Sequence, residues 1–293
     1  MKLPVSTLTE RLRVGLIQTS LDYEIAWATS PKMSKVEEDH AVSEIGRFVA
    51  GFREEKPGPD IVVMPELAVP HGFLPRLRVM ARTLSAVIIA GLDYRDRSTA
   101  TERIVSNEAV VIVPNRWRKR QISSHTSVRY IGKTYCSHGE QQRLDQQKYG
   151  FSGDNAIWVF DGDDAGRFGI VICYDFLDLE RVASYRGQIQ HLFVLAYNKD
   201  IRSFQHAAEA MARMVFCNVL VCNAGYYGGS LVVSPYRRPE RRTIYQHSGS
   251  RLATAQMITI PVKALHQHQL NRGITAGSEL EFKSLPAGYE IQQ

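Results

Sequence analysis

Short apolar runs rich in Val and Ile alternate in this chain with stretches whose apolar residues recur at helical spacing. Residues 61–64 and 86–92 are continuous apolar runs, and residues 12–18 are apolar apart from Arg13 and Gln18. Residues 36–52 and 74–84 instead carry the helical period. Continuously apolar strands, as opposed to alternating ones, are typical of sheets covered on both faces. The pattern therefore predicts an α/β fold.

The rest of the chain continues this alternation. Further strands are predicted at 105–113, 157–160, 168–173, 190–196, 219–223, 231–234 and 255–260, and a helix at 204–216. These are too many strands for one comfortable open sheet, so two packed sheets flanked by helices fit better. Residues 121–154 are polar and irregular, and we expect residues 121–147 to form a substrate-shaping loop. No linker interrupts the chain, so residues 1–293 are predicted to form a single domain.

Cysteine usage and hydropathy bear on the protein's compartment. Four cysteines among 293 residues are few, and none forms a CxxC pair or a zinc-like cluster with histidines. We expect free thiols in a reducing cytoplasm and no bound metal. Met1–Arg13 lacks the apolar segment of a signal peptide, and no apolar run approaches membrane-spanning length. The expected location is cytoplasmic.

The formal charge of +6 is moderate but unevenly distributed. Its first cluster is Arg116, Arg118, Lys119 and Arg120, of which Arg120 lies outside the residues that the structure describes, and its second is Arg237, Arg238, Arg241 and Arg242. One interpretation is a solvated basic surface. The other is attraction of an anionic substrate, or of a polyanion or protein partner through the second cluster.

Three chemically active side chains follow predicted strands. Glu66 comes after residues 61–64, Lys119 follows residues 109–113, and Cys173 ends residues 168–173. Strand ends deliver side chains to a shared rim, where α/β proteins build ligand sites. Each residue also has a structural interpretation on its own, as a helix-terminal charge, a solvated lysine or a small buried thiol. Their joint occurrence, in this order, favours a catalytic group.

These motifs resemble those of the nitrilase, or carbon–nitrogen hydrolase, superfamily, whose members share a Glu–Lys–Cys triad. The matching segments are Arg13 to Gln18, Pro65-Glu66, Arg118-Lys119, Gly169 to Asp175, Ala212-Arg213, Asn223 and Gly229-Ser230. The lysine motif is the least specific of them, and Lys133 in the same irregular region is an alternative to Lys119. The resemblance implies a four-layer α-β-β-α sandwich. It also implies a homodimer or higher homo-oligomer, paired through residues 178–185 and 204–216.

The resemblance implies a cysteine mechanism that needs no cofactor. A lysine ammonium would stabilise the thiolate of Cys173, and Glu66 would carry the proton to the leaving amine. Lys119 and the backbone N–H of Tyr174 would stabilise the charge that develops on the substrate. Asn198, at the same rim, is either a substrate contact or a turn-forming residue.

One feature departs from the family pattern. Many members carry a second glutamate between the lysine and the cysteine, and an alignment anchored on Phe151 to Asp154 places Gln146 or Gln147 there. A small gap would instead bring in Asp145, which we take as a substrate-binding candidate, or Glu140. A glutamine would remove a carboxylate that balances the lysine.

The leading functional hypothesis is a hydrolase that cleaves a non-peptide C–N bond through a cysteine thioester. A small amide is the expected substrate, and a nitrile is the less favoured one. The alternative is a catalytically altered or inactive binding or scaffold module, working with a partner protein or polyanion, for example in a nucleic-acid-processing system. An acyltransferase using the same thioester is a third possibility.

Overall fold

Two packed six-stranded sheets dominate the computed structural model, which describes residues 8–119, 121–270 and 281–291. The strands are β1 Arg11–Gln18, β2 Ile61–Val69, β3 Val87–Leu92, β4 Arg95–Asp96, β5 Ile104–Ser106, β6 Glu108–Pro114, β7 Thr126–Gly132, β8 Gly150–Phe151, β9 Val159–Asp161, β10 Arg167–Ile172, β11 His191–Ala196, β12 Asn218–Asn223, β13 Leu231–Val233, β14 Thr243–Gln246 and β15 Thr254–Pro261. The α-helices are α1 Tyr23–Ala26, α2 Lys35–Glu54, α3 Leu74–Leu84, α4 His138–Gln146, α5 Leu179–Ala183, α6 Ile201–Met211, α7 Pro239–Arg242 and α8 Lys263–Leu270. Signal-peptide and domain predictions that include residues 1–7 extend beyond the described residues.

The strand order fixes which residues meet at each edge. The first sheet runs β15-β1-β2-β3-β6-β7 and the second β14-β13-β12-β11-β10-β9, and β4, β5 and β8 form a small third sheet. In the first sheet β1, β2 and β3 are parallel, β6 is antiparallel to β3, and β7 is antiparallel to β6. The carboxyl ends of β2 and β7 therefore lie at one edge of the sheet, and the carboxyl end of β6 lies at the opposite edge.

Alternating side chains of the first sheet supply two separate apolar interfaces. Val62, Met64 and Ile88 face α2 and α3 on the outside. Val63 and Ile89 face the second sheet, whose other side is covered by α5 and α6. A strand covered on both faces must be apolar throughout, which explains the continuous Val and Ile runs. The layers follow the order α-β-β-α, as predicted.

Most predicted elements are confirmed, with shifted ends. Helix α3 has the predicted bounds, and β2 continues beyond Met64 through Glu66 to Val69. The helix predicted at 204–216 is α6 followed by a π-helical turn, Ala212–Phe216.

The prediction of an irregular stretch at 121–154 is wrong. It contains β7, a seven-residue edge strand with a mixed burial pattern, and the nine-residue helix α4. The β7 sequence TSVRYIG alternates polar and apolar residues over part of its length, which is the weaker signature of a half-exposed strand.

Pairing between two copies stays a prediction. Residues 178–185 and 204–216 lie on the outer side of the second sheet, and the nearby Leu177, Leu179 and Met214 are exposed. Among the described residues, no helix has both the length and the apolar character needed to cross a membrane.

Gly91 in β3 allows the backbone of β2 to approach closely at Glu66. A Cβ placed on Gly91 would lie 2.3 Å from the carbonyl oxygen of Pro65 and 2.4 Å from the Cα of Glu66. Both atoms are backbone, so no side-chain rotation relieves the overlap. The absence of a side chain at Gly91 therefore allows the backbone of Glu66 to take up its observed position.

We predict that Gly91→Ala destabilises the fold by about 1–3 kcal/mol, because the added methyl group displaces the Pro65–Glu66 backbone. Gly51→Ala is the matched control, because Gly51 lies in α2 with open space around the added methyl group. It should stabilise the fold by about 0.5–1 kcal/mol through higher helix propensity. Urea unfolding of the two variants measures both effects, and equal shifts would contradict this account of Gly91.

Candidate active site

Glu66 lies where β2 departs from regular pairing with β3. The register shifts between Met64 and Val69, and Leu67 has a φ of 55°. This irregularity lets the carboxylate sit in a buried polar site, where the residue is 2% exposed. Its Oε1 accepts hydrogen bonds from Lys133 Nζ at 2.8 Å and Asn107 Nδ2 at 2.8 Å. Its Oε2 accepts one from the backbone N–H of Tyr197 at 3.0 Å.

Lys133 directly follows β7 and is almost fully buried. Besides Glu66, its Nζ contacts Glu140 Oε2 at 2.6 Å. The next two residues, Thr134 and Tyr135, donate backbone N–H groups to the carboxylate of Asp175 at 2.8 and 2.9 Å. Asp175 therefore ties the segment after the lysine to the turn that begins at Cys173.

Glu140 is held by the first turn of α4. Ser137 and Glu140 form a capping box, in which each side chain accepts a hydrogen bond from the other residue's backbone N–H. Glu140 Oε1 also accepts hydrogen bonds from the Tyr94 hydroxyl at 2.8 Å and from Asn107 Nδ2 at 3.1 Å. Asn107 thus bridges the two glutamates.

Cys173 follows β10 and begins the 3₁₀ turn Cys173–Leu177. Its φ of 47° is unusual for a residue other than glycine, and backbone outliers of this kind cluster at functional sites. The residue is 8% exposed, and the neighbouring carboxylate of Glu66 and backbone N–H of Tyr197 both influence the pKa of its thiol.

A cavity of about 510 Å³ opens onto all four side chains. Aromatic rings make up much of its remaining wall: Tyr23, Tyr94, Tyr174, Tyr197, Phe204 and Tyr227. Among the described residues, no group of three or more His, Cys, Asp or Glu side chains is placed to hold a metal ion. The cavity therefore combines a buried thiol and an ion-pair cluster with a largely aromatic wall.

Burial and neighbouring charges act differently on the four groups. Burial raises the pKa of Glu66, aided by Glu140 and opposed by Lys133. Burial raises the pKa of the Cys173 thiol well above its usual range, and Glu66 adds to this while Lys133 opposes it. Burial thus favours the protonated form of the Cys173 thiol.

The lysine and the second glutamate are held in their charged forms. Burial lowers the pKa of Lys133, but Glu66 and Glu140 outweigh it and leave the pKa well above the usual value. Burial raises the pKa of Glu140, but Lys133 and the hydrogen bonds from Asn107 and Tyr94 outweigh it and leave the pKa lowered.

The structure brings Glu66 and Cys173 together but places Lys119 elsewhere. Lys119 is exposed in the turn after β6, where the neighbouring Arg118 pairs with Asp60 at the start of β2. Because β6 is antiparallel to β2, its carboxyl end points away from the edge that carries Glu66. The lysine assignment is therefore corrected from Lys119 to Lys133.

The structure places Glu140, and neither Gln146 nor Gln147, beside Lys133. Gln146 and Gln147 lie at the far end of α4, and Gln147 donates to the carbonyl of Trp27 at 2.9 Å. Asp145 is exposed, accepts a hydrogen bond from Gln141 and lies outside the cavity lining, so its prediction as a substrate contact is wrong. The S-x-x-E sequence from Ser137 to Glu140 is a capping-box signature that could have identified Glu140.

The other two predicted substrate contacts line the cavity. Tyr174 is 44% exposed there, next to Cys173. Asn198 exchanges hydrogen bonds with the backbone of Asp200, which caps α6, so it also forms the turn considered from the sequence.

The fold of this chain is similar to those of several solved structures. The chain resembles a CN-hydrolase superfamily protein from Xanthomonas campestris that was solved with an arsenic adduct in its active site; the two are 14% identical, the match covers 90% of this chain and 95% of that one, and the TM-score is 0.62. It resembles Nit3 of Saccharomyces cerevisiae, a member of branch 10 of the nitrilase superfamily, at 15% identity, 92% and 97% coverage and a TM-score of 0.61. It also resembles the NitN amidase of Nesterenkonia sp. AN1 at 16% identity, 89% and 98% coverage and a TM-score of 0.58.

A search of curated protein sequences gives no match. The sequence model of the carbon-nitrogen hydrolase family matches residues 13–248, which is most of the chain. The protein belongs to the carbon–nitrogen hydrolase family.

Proposed function

We propose that this protein hydrolyses the C–N bond of a small carboxamide through a thioester on Cys173. One observation carries the proposal. A buried Lys133, paired with Glu66 and Glu140, opens with Cys173 into the same cavity. The cluster supplies a nucleophile, a base and a fixed positive charge, which are the groups that acyl transfer from an amide requires.

The first half-reaction forms the thioester. Glu66 takes the proton of the Cys173 thiol as sulfur attacks the carbonyl carbon. Negative charge then develops on the carbonyl oxygen, where the Lys133 ammonium and the backbone N–H of Tyr174 stabilise it. When the C–N bond breaks, Glu66 returns the proton to the leaving nitrogen, and ammonia or an amine departs.

The second half-reaction consumes one water molecule. Glu66 takes a proton from water, and the resulting hydroxide attacks the thioester carbon. Lys133 and the backbone N–H of Tyr174 again stabilise the oxyanion that forms. The C–S bond breaks, Cys173 regains its proton, and the carboxylic acid leaves. Glu140 does not exchange protons in this scheme, because its lowered pKa and its contact with Lys133 keep it ionised.

The similarity in fold to a solved amidase favours an amide over a nitrile as the substrate. The Nesterenkonia amidase was solved, in a mutant form, with the acetamide moiety of fluoroacetamide covalently added at its active-site cysteine. That protein is 15% identical to this chain, and we take the likeness in fold as support for the proposed amide substrate.

The scaffold hypothesis rested on the basic clusters and on the missing second glutamate. The pairing of Glu140 with Lys133 supplies a carboxylate beside the lysine and weakens the second of these grounds. An acyltransferase would use the same thioester with an amine in place of water. In buffer without an amine acceptor only hydrolysis releases the free acid, and with it more than one equivalent of ammonia per protein.

Replacing the nucleophile tests the proposal first. Cys173→Ala should abolish release of ammonia from every carboxamide in an aliphatic and aromatic panel, because no other described cysteine lines the cavity. Cys136→Ala is the control, since Cys136 is a nearby free thiol outside the cavity lining. Turnover surviving in Cys173→Ala, or lost in Cys136→Ala alone, would contradict the assignment.

The two lysines can be compared directly. Lys133→Gln leaves two buried carboxylates without a cation, so we expect a loss of about 3–5 kcal/mol of unfolding free energy. It should also lower kcat/KM by at least about 100-fold, because a preorganised charge at the oxyanion is removed. Lys119→Gln removes the same charge from an exposed turn and should change neither quantity. Chemical unfolding and steady-state kinetics measure both, and a larger effect at Lys119 would restore the first lysine assignment.

The pH profile tests the role of Glu66 as the base. Glu66 must be ionised to accept the thiol proton, so kcat/KM should rise with pH through the raised pKa of Glu66, above the usual carboxyl range. Glu140 raises that pKa by charge repulsion, so Glu140→Gln should move the acid limb to lower pH while reducing the plateau. A limb that stays in place, or moves to higher pH, would show that another group sets the profile.

A further inference from the structure

A second cavity lies at the edge of the first sheet opposite Cys173. Its volume is about 670 Å³, larger than that of the candidate active site, and the two cavities share no lining residue. It is bounded by the start of β2, the end of α2 and the turn after β6, and we call it the basal cavity. The Arg118-Lys119 motif, which lies away from Cys173, is therefore next to a second and separate cavity.

Two guanidinium groups are fixed in the wall of the basal cavity. The buried carboxylate of Asp60 accepts hydrogen bonds from Arg13 Nη2 at 2.8 Å and Arg13 Nε at 3.2 Å, and Arg118 Nη1 lies 3.3 Å from the same carboxylate. Arg118 Nε also pairs with the half-exposed Asp164 at 3.1 Å. Arg118 Nε and Nη1 are buried, yet neither makes an aligned hydrogen bond within the described residues. Both arginines are thus held in place without using all of their donors.

The remaining charges in the wall are predominantly positive. Arg53 and Lys56 line the cavity from the end of α2, and neither forms an ion pair among the described residues. Glu55 is the carboxylate that lies with them, so two cations stand against one anion. Arg13 and Arg118 are balanced by Asp60 and Asp164, which leaves the cavity with a net positive charge.

Apolar side chains form another part of the same wall. Pro57, Leu84 and Ile122 line it, and the side chain of Ile122 is 71% exposed. Phe52 also reaches the lining, but it is 5% exposed and belongs to the core. A ligand that is only an anion would leave this surface in water. A planar, weakly polar group would cover it and gain from the burial.

We propose that the basal cavity binds a small ligand that joins a phosphate group to a planar ring, such as a nucleotide. Arg53 and Lys56 contact the phosphates, with the fixed guanidiniums of Arg13 and Arg118 behind them. The ring lies against Pro57 and Ile122. The site is separate from Cys173, so binding does not depend on turnover.

Three probes separate the two halves of this recognition. ADP carries both groups, adenosine carries the ring alone, and inorganic pyrophosphate carries the charge alone. Calorimetric titration of the full chain should show ADP binding at least about tenfold more tightly than either of the others, which corresponds to one or two charge-assisted contacts. Equal affinity for ADP and adenosine, or for ADP and pyrophosphate, would overturn the proposal.

The variants are chosen to spare the fold. Arg53→Gln and Lys56→Gln leave the Asp60 ion pairs intact, and each should weaken ADP binding at least about fivefold. Arg237→Gln removes the same charge from the other basic cluster and should leave ADP affinity within about twofold, because it lies outside the basal cavity. Equal weakening in all three variants would indicate attraction by overall charge and would overturn the proposal.

Two further outcomes locate the ligand. Cys173→Ala should bind ADP with unchanged affinity, whereas loss of binding there would place ADP in the other cavity and contradict the assignment. Retention on heparin or single-stranded DNA without measurable ADP binding would indicate a polyanion surface, and would also count against a small-ligand site.

Discussion

The pairing of Lys133 with Glu66 and Glu140 is the interaction on which the rest of the site depends. Three charged groups are almost completely removed from water here, and each would be strongly destabilising alone. They come from β2, from the segment after β7 and from α4, so the folded state must assemble all three elements together. Asn107, Tyr94 and the N–H of Tyr197 satisfy the remaining carboxylate oxygens. The aromatic cavity wall is built around this cluster.

The same cluster divides the chemical roles. Lys133 holds Glu140 in its ionised form and is itself kept protonated, so neither is suited to exchange protons near neutral pH. Glu66 differs because burial and the charge of Glu140 raise its pKa. Burial and the charge of Glu66 raise the pKa of the Cys173 thiol. In the proposed mechanism Glu66 therefore takes the thiol proton during attack, as the sequence had led us to expect.

The sequence predicted the layers, and Glu66 and Cys173 as neighbours, because continuous apolar strands and the residues that end them are visible locally. The lysine that lies beside Glu66 could not be identified from local sequence in this way. The direction of β6, which moves Lys119 to the far edge, depends on pairing between strands distant in the chain. Lys133 follows an edge strand whose mixed polarity resembles a loop. Ser137 and Glu140 form a capping-box sequence that points to Glu140 locally, whereas the alignment on Phe151 to Asp154 reached Glu140 only through a small gap.

In the proposed mechanism an acyl group passes through Cys173, and trapping that intermediate is the most direct test. Wild-type protein mixed with a reactive carboxamide, quenched in acid within the first turnover and digested, should yield one modified peptide. The peptide that contains Cys173 should gain a mass equal to the acyl group, without the amide nitrogen. An adduct that retains the nitrogen, one that maps to Cys136, or an unmodified Cys173 peptide during measurable ammonia release would contradict it.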